Sequence, residues 1–397
     1  MRTGTVERIR AGHSALSRCT PDPDAFLRET WGRRAEVTPG RAGAGFSDLL
    51  SLDDVDRFVT STALRTPSFR LVKAGETIPQ PAYTRSGRIG SRDVAGIADP
   101  ARVAALFEAG ATIVLQGLHR WSEPVARFCR DLEIELGHPC QVNAYVTPPG
   151  AQGLDLHDDP HDVLVLQAFG TKRWEIQAAP KEPSRDSLDA PVGPGDTIYL
   201  PTGTPHAARA QEVLSGHLTV GIHVTPWRDV LTRIVERTLT DEPDALPAGW
   251  LEDRDGATSE LRRRLDALAA RLREVGAEEE IGRRRERFLS SRPQLARGAI
   301  AERSAPLDVD DGTVVRRRAG SICEVVLRDD GVVMLLGDRR LDLPARVEPA
   351  VRRIADLDEG EALRVGELAP ELAAAASRAV LVGRLVREGL LTVRGER

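Results

Sequence analysis

Two hydrophobic rhythms follow one another along this chain. Between 111 and 224, short β-rich runs alternate with turn residues. The runs are 111–116 (ATIVLQ), 141–147 (QVNAYVT), 163–168 (VLVLQA), 172–177 (KRWEIQ), 196–200 (DTIYL) and 217–224 (HLTVGIHV). Pro148-Pro149-Gly150, Gly170-Thr171, Gly193-Pro194-Gly195 and Thr202-Gly203-Thr204-Pro205 punctuate them. Short strands at this spacing predict an antiparallel sandwich or barrel. Ahead of them, Asp22 opens a candidate helix through Ala25, Phe26 and Leu27, and Leu52–Val55 opens another. The stretch 76–99 carries Gly, Pro and Ser with little pattern and predicts a long loop.

Beyond Pro226 the apolar period lengthens. Leu261, Leu265, Leu268, Leu272 and Val275 step by 4, 3, 4 and 3, an a/d seam on a segment otherwise rich in Arg and Glu. The seam is short, which predicts a helical bundle that two subunits could share. The triplet Arg283-Arg284-Arg285 reads as a solvated helix face. From about 311 the runs 323–328, 332–336 and 340–343 predict strands. Helices over 347–356 and 366–387 and a last strand over 390–393 complete a winged-helix-like end. Its last helix mixes Arg378, Arg384 and Arg387 with Glu371 and Glu388, too little net positive charge to predict DNA binding.

Composition narrows the class. A chain of 397 residues, 41% hydrophobic and 29% charged, has the balance of a globular protein of two to three domains. The formal charge of −5 argues against a bulk nucleic-acid binder. No apolar run approaches the ~20 residues of a bilayer span, so no membrane is expected. The opening MRTGTVERIR lacks the apolar core of a secretory signal. Cys19, Cys129, Cys140 and Cys323 are scattered with no CxxC pair, which predicts buried free thiols in a reducing, cytoplasmic setting. Lysine occurs only at 73, 172 and 181, so each position carries more information than an arginine does.

The segment Leu156-His157-Asp158-Asp159-Pro160-His161-Asp162 carries the chemistry. If it leads into the strand at 163–168, residues two apart share a face, and His157 and Asp159 point the same way. About fifty residues later, Gly195-Asp196-Thr197-Ile198-Tyr199-Leu200-Pro201 is followed by His206. A strand and a tight turn would return His206 to the first pair. Two histidines and a carboxylate on one side of a metal ion leave positions open, the facial triad of non-haem Fe(II) oxygenases. The pair by itself is a weak signal. His157 and His161 have helical zinc-site spacing, but Pro160 between them opposes a helix, and there is no His-Glu-x-x-His.

The surrounding residues strengthen the case. Asn143-Ala-Tyr145-Val-Thr-Pro-Pro-Gly-Ala-Gln-Gly153, His157-Asp-Asp159, Val163-Leu-Val-Leu-Gln167 and Gly170-Thr-Lys172-Arg-Trp174 follow in order. Then come Gly195-Asp196-x-x-Tyr199-Leu-Pro-x-Gly-x-x-His206 and His217-Leu-Thr219. This series resembles the cupin-type JmjC oxygenases, and within them the ribosomal oxygenases, which hydroxylate ribosomal proteins. Phe26-Leu27-Arg-Glu-Thr-Trp31-Gly32 resembles the start of that family. The resemblance spans nearly the whole chain, with its specific motifs confined to 143–219.

The resemblance implies an α+β fold in three parts. Residues 1–227 would form a double-stranded β-helix, the cupin/JmjC jelly-roll barrel. Residues 228–310 would form a helical dimerisation region, and 311–397 a winged-helix-like domain. It implies His157, Asp159 and His206 as iron ligands, and Lys172 as partner of the distal carboxylate of 2-oxoglutarate. Asn143 and Tyr145 would line the same pocket, and Arg173 would face outward. Fe(II), 2-oxoglutarate and O2 are the implied cofactor and co-substrates. The implied substrate is a protein side chain, with a ribosomal protein first, and the implied assembly is a homodimer. A peptide or natural-product intermediate as substrate, or a non-catalytic dimeric cupin binding protein, are the competing readings.

Two departures bear on substrate and co-substrate. Gly221 stands about where the family often has a serine, and Asp158 where it tends to have an aromatic or apolar residue. His217 and His223 are expected to pack or hydrogen-bond behind the site. His13, His119 and His138 sit in no motif, and Trp174, Trp227 and Trp250 are expected as core anchors.

Overall fold

The computed structural model describes residues 15–40, 45–152, 154–178, 187–210, 212–239, 245–295, 297–304 and 307–393. His13, Gly153 and Lys181 lie outside the described residues. The chain divides between Val224 and Thr225 into two compact units.

In the first unit the strands are β1 (Glu36–Thr38), β2 (Phe69–Lys73), β3 (Glu76–Thr77), β4 (Thr84–Ile89), β5 (Arg92–Ala98), β6 (Thr112–Leu115) and β7 (Cys140–Thr147). They continue as β8 (Asp162–Phe169), β9 (Lys172–Ile176), β10 (Leu188–Val192), β11 (Thr197–Leu200), β12 (His206–Ala210) and β13 (Ser215–Ile222). An eight-stranded antiparallel sheet runs β1-β11-β8-β13-β7-β6-β2-β3, and a three-stranded sheet runs β10-β9-β12.

Strand β8 shows why its sequence is continuously apolar rather than alternating. Val163 and Val165 enter a core shared with Trp174, Ile176, Ile198 and Leu200. Leu164 and Leu166 enter a larger core with Val142, Leu218, Phe58, Phe128 and Leu132. Helices Leu52–Ser61, Pro100–Glu108 and Glu123–Leu136 supply apolar residues to that larger core. A strand covered on both faces has no solvent side to signal with polar residues.

The passage from β8 to β9 moves the chain from the large sheet to the small one. Gly170 makes it with a φ of +62°, and a Cβ there would fall 1.8 Å from the Leu214 carbonyl oxygen. The Gln167 side-chain amide donates to the carbonyls of Phe169 (2.9 Å) and Gly170 (3.0 Å) and to the Ser215 hydroxyl (2.8 Å), which pins the turn. Lys172 thereby starts β9 facing inward. Gly170→Ala combines a left-handed backbone with a backbone clash, so it is expected to cost roughly 3 kcal/mol of stability. Chemical denaturation would measure this, and an unchanged midpoint would contradict the assigned turn.

The expected loop over 76–99 is in fact mostly β structure. β4 and β5 pair as a hairpin through Gly90 (φ +61°) and Ser91. Most of its side chains are exposed on both faces, so no hydrophobic alternation marks it.

The second unit begins with helices Trp227–Thr238, Arg254–Arg273 and Ala277–Ser290. Val275 falls past the end of the seam helix, because the chain breaks at Gly276 to start the next helix. Trp227 and Trp250 are not core anchors: they are 70% and 45% exposed. Farther on lie the strands β14 (Val314–Arg317), β15 (Glu324–Arg328), β16 (Gly331–Leu336), β17 (Arg339–Pro344), β18 (Ala362–Arg364) and β19 (Leu391–Thr392). They form the sheets β18-β14-β19 and β15-β16-β17. Helix Glu348–Ala355 is close to expectation, but 366–387 is not one helix. A 3-10 turn at Val365–Leu368 precedes a helix over Ala375–Arg387, because Pro370 cannot continue the pattern. The buried Arg318 and Glu302 pair, and Glu302 also accepts from Thr392, so the buried charges are compensated.

Candidate active site

His157 precedes β8 rather than lying in it, and Pro160 keeps residues 157–161 out of a ladder. The alternation expected for His157 and Asp159 is therefore not a strand property. An isolated antiparallel bridge to His206 places them instead. His157 N donates to His206 O (3.1 Å), and His206 N donates to His157 O (2.8 Å). His206 opens β12, so the small sheet delivers it to the mouth of the large one.

The two rings stand 4.5 Å apart between centroids. Each can donate its Nδ1–H to a backbone carbonyl: His157 to Asp155 O (2.7 Å), His206 to Thr204 O (2.9 Å). That tautomer leaves both Nε2 lone pairs free, the arrangement metal-binding imidazoles need. Asp159 Oδ2 lies 3.7 Å from His206 Nε2. Burial pushes the His206 pKa below the usual imidazole value, which favours the neutral, ligating form. Among the described residues these three are the one group whose ligand atoms all lie within 4.8 Å of one another. Two neutral imidazoles and a carboxylate suit Fe(II) or a similar divalent ion and leave part of its shell open.

A cavity between the two sheets connects this trio with Lys172. The Lys172 ammonium is buried and donates to Thr147 Oγ1 (3.0 Å) and His217 Nδ1 (3.0 Å). Among the described residues no carboxylate pairs with it. Burial alone brings its pKa down from 10.5 to about 7. Burial and the Lys172 charge hold His217 well below the usual imidazole value. Its ring stacks on Tyr145 (5.1 Å, 9°) and meets the edge of Trp174 (5.3 Å, 73°). Such a cation, with neutral neighbours and a cavity before it, is a receptor for an anion.

Tyr145, Thr112 and Thr219 also line the cavity. Asn143 turns its side-chain oxygen to the Gly117 amide (2.9 Å) and hydrogen-bonds to Tyr145. Arg173 faces outward and pairs with Asp189 (2.9 Å). Gly221 lies against the His161 ring, and Thr219 brings the β13 hydroxyl to the cavity instead. His223 stacks edge-on with His161 (5.1 Å). Trp174 is buried as expected and also stacks over His206 (6.0 Å, 27°).

Thr147 and Thr112 were not legible as site residues. Thr147 could have been found by stepping two residues along β7 from Tyr145. Thr112 becomes a neighbour only through the β6–β7 pairing, where its hydroxyl meets that of Thr147 (3.1 Å).

Residues 118–230, which include the trio and Lys172, match the family described as JmjC domain. This segment is similar to a JmjC domain, and the chain resembles the ribosomal oxygenases. Ribosomal oxygenase 1 of Rattus norvegicus is 26% identical over 385 residues, covering 86% of this chain and 62% of that protein. Ribosomal oxygenase 1 of Homo sapiens is 30% identical over 232 residues, covering 54% of this chain and 35% of that protein. The chain thus spans between about a third and three-fifths of the length of these curated relatives. The Escherichia coli ribosomal oxygenase YcfD, solved in complex with cobalt and 2-oxoglutarate, is 19% identical with a TM-score of 0.52. That match covers 93% of this chain and 97% of YcfD, and it establishes a shared fold. The JmjC domain here is thus a cupin-type fold built on a large antiparallel sheet.

Proposed function

We propose that this chain is an Fe(II)- and 2-oxoglutarate-dependent dioxygenase that hydroxylates a protein side chain, with a ribosomal protein as substrate. One observation carries the reading: a metal-competent trio and a buried ammonium with no carboxylate partner among the described residues share a single cavity. The likeness to ribosomal oxygenases, one of them bound to 2-oxoglutarate, supports the substrate and co-substrate classes.

In this reading His157, Asp159 and His206 hold the iron. Lys172 meets the distal carboxylate of 2-oxoglutarate, and Tyr145 lines its path, steadied by Asn143. When bound, the metal supplies activation of O2 coupled to oxidative decarboxylation of the co-substrate. The protein's part is to hold the trio with its open side toward the cavity. Lys172, fixed by Thr147 and His217, sets the depth at which the dicarboxylate sits. The apolar walls at Val163, Val165 and Trp174 exclude water.

Residues 1–227 are read as the catalytic domain, 228–310 as a dimerisation region and 311–397 as a winged-helix-like domain. The change of compact unit after Val224 supports the first boundary. The short strands and the helix over Ala375–Arg387 support the last. Leu261 and Leu265, 57% and 54% exposed on one face of the seam helix, support a homodimer. Substituting both with Glu is expected to turn a dimer into a monomer in sedimentation equilibrium, and a wild-type monomer would end that assignment. The burial of Cys19, Cys129 and Cys140 supports a cytoplasmic setting. Among the described residues no helix is long and apolar enough to cross a membrane.

The deciding experiment measures succinate formation with Fe(II), 2-oxoglutarate and air. It is paired with intact-mass comparison of ribosomal proteins from cells with and without this chain. One ribosomal protein heavier by a single oxygen atom is the expected result. Iron-dependent succinate without that mass change would move the substrate to a peptide or small molecule. No iron-dependent succinate at all would leave a binding protein.

A further inference from the structure

His157 and Asp159 lie in the irregular segment 157–161, which meets β12 only at the isolated His157–His206 bridge, and His206 follows directly on the 201–205 turn. Something must fix the distance between Asp159 and His206. Asp162 sits where the two segments meet. It is the first residue of β8, and its carboxylate is buried. Its Oδ1 accepts from the Thr202 amide (2.8 Å) and the Thr202 hydroxyl (2.7 Å). Its Oδ2 accepts from the Tyr199 hydroxyl, which itself accepts from the Gly32 amide (2.7 Å). One residue along, the Gly203 amide donates to Asp159 O (2.9 Å).

We infer that Asp162 is a positioning residue that clamps the 201–205 turn to the segment bearing His157 and Asp159, and so sets the spacing of the metal trio. A buried carboxylate bonded to neutral donors is held in place by all of them at once. Removing it leaves the Thr202 amide and the Tyr199 hydroxyl proton without their acceptor and frees the turn. The Gly203–Asp159 contact then loses its support. The Gly32–Tyr199–Asp162 chain also ties the segment after Phe26–Thr30 to this clamp, which gives those residues a role in the site although none of them lines its cavity. This inference rests on the trio being the metal site.

The test is a Co(II) titration of the full chain, followed by visible absorption at a temperature well below unfolding. Asp162→Ala is expected to weaken Co(II) binding by roughly 10- to 100-fold, the cost typical of an outer partner of metal ligands. Asp162→Asn keeps an oxygen for Thr202 and can donate to Tyr199, so it is expected to stay within about threefold of wild type. Thr202→Val, at an exposed position and with its main-chain amide still able to reach Asp162, is expected to keep the wild-type melting temperature, to weaken binding about fivefold and to alter the Co(II) spectrum. A purely structural role for Asp162 would lower the melting temperature and leave affinity and spectrum unchanged. Wild-type uptake with an unchanged Thr202→Val variant would overturn the clamp alone. Absence of uptake by the wild-type chain would overturn the metal reading together with it.

Discussion

His206→Ala is expected to abolish Fe(II)-dependent succinate formation and to weaken Co(II) binding by well over about 100-fold. The floor comes from outer partners of metal ligands, whose loss already costs about 10- to 100-fold, whereas His206 would be a ligand itself. The variant should still fold. The bridge between His157 and His206 is made by main-chain atoms and does not need the imidazole. Ile176, the cross-strand partner of His206, keeps the β12 register. Circular dichroism would confirm the fold, and the Co(II) titration would report the site. A variant that retains wild-type turnover would mean that His206 does not belong to the reacting centre.

The second large effect lies at the other end of the cavity. Lys172→Met is expected to weaken 2-oxoglutarate binding to the Co(II)-loaded protein by at least about 100-fold. The loss removes a charge-assisted hydrogen bond and leaves a carboxylate facing a buried, uncompensated site. The same substitution should stabilise the ligand-free protein near neutral pH, because it takes a desolvated charge out of the interior.

The pH dependence follows from the direction of the Lys172 shift. Its folded-state pKa, about 7, lies below the ordinary value of 10.5. Between these values the unfolded chain holds a proton that the folded, ligand-free chain does not. Stability of the ligand-free protein therefore rises with pH across that window, and Lys172→Met should flatten the rise. Binding of 2-oxoglutarate has the opposite trend. The distal carboxylate favours the ammonium, so binding takes up a proton once the pH exceeds about 7. Affinity should then fall by up to about tenfold per pH unit. Calorimetry in buffers of different ionisation enthalpy would count the proton taken up. Pairing through a pre-formed ammonium would give no proton uptake and a flat profile.

Much of the fold was legible because it depends on local rules. The runs 111–116, 141–147 and 163–168 became β6, β7 and β8 with shifts of a residue or two. The hairpin over 84–98 escaped notice because a hairpin exposed on both faces shows no alternation. Pro370 split an apparently continuous helix, a signal that was present in the sequence and outweighed by the apolar residues around it. Trp227 and Trp250 were read as core because large aromatics usually are, but among the described residues they stay 70% and 45% exposed.

The sequence by itself determined the chemical inventory. It supplied two imidazoles and a carboxylate at spacings that can converge, a rare lysine fifteen residues after His157, and glycine and proline at the turns. Tertiary structure decided how these groups face one another. The His157–His206 bridge brings together residues forty-nine positions apart. The crossing at Gly170 turns Lys172 into the cavity, and the β6–β7 and β7–β13 pairings set Thr147 and His217 beside its ammonium. The reason is physical. Residue type fixes what a side chain can donate, accept or ligate. Distance, burial and hence proton affinity arise only when strands remote in the chain pair and exclude water.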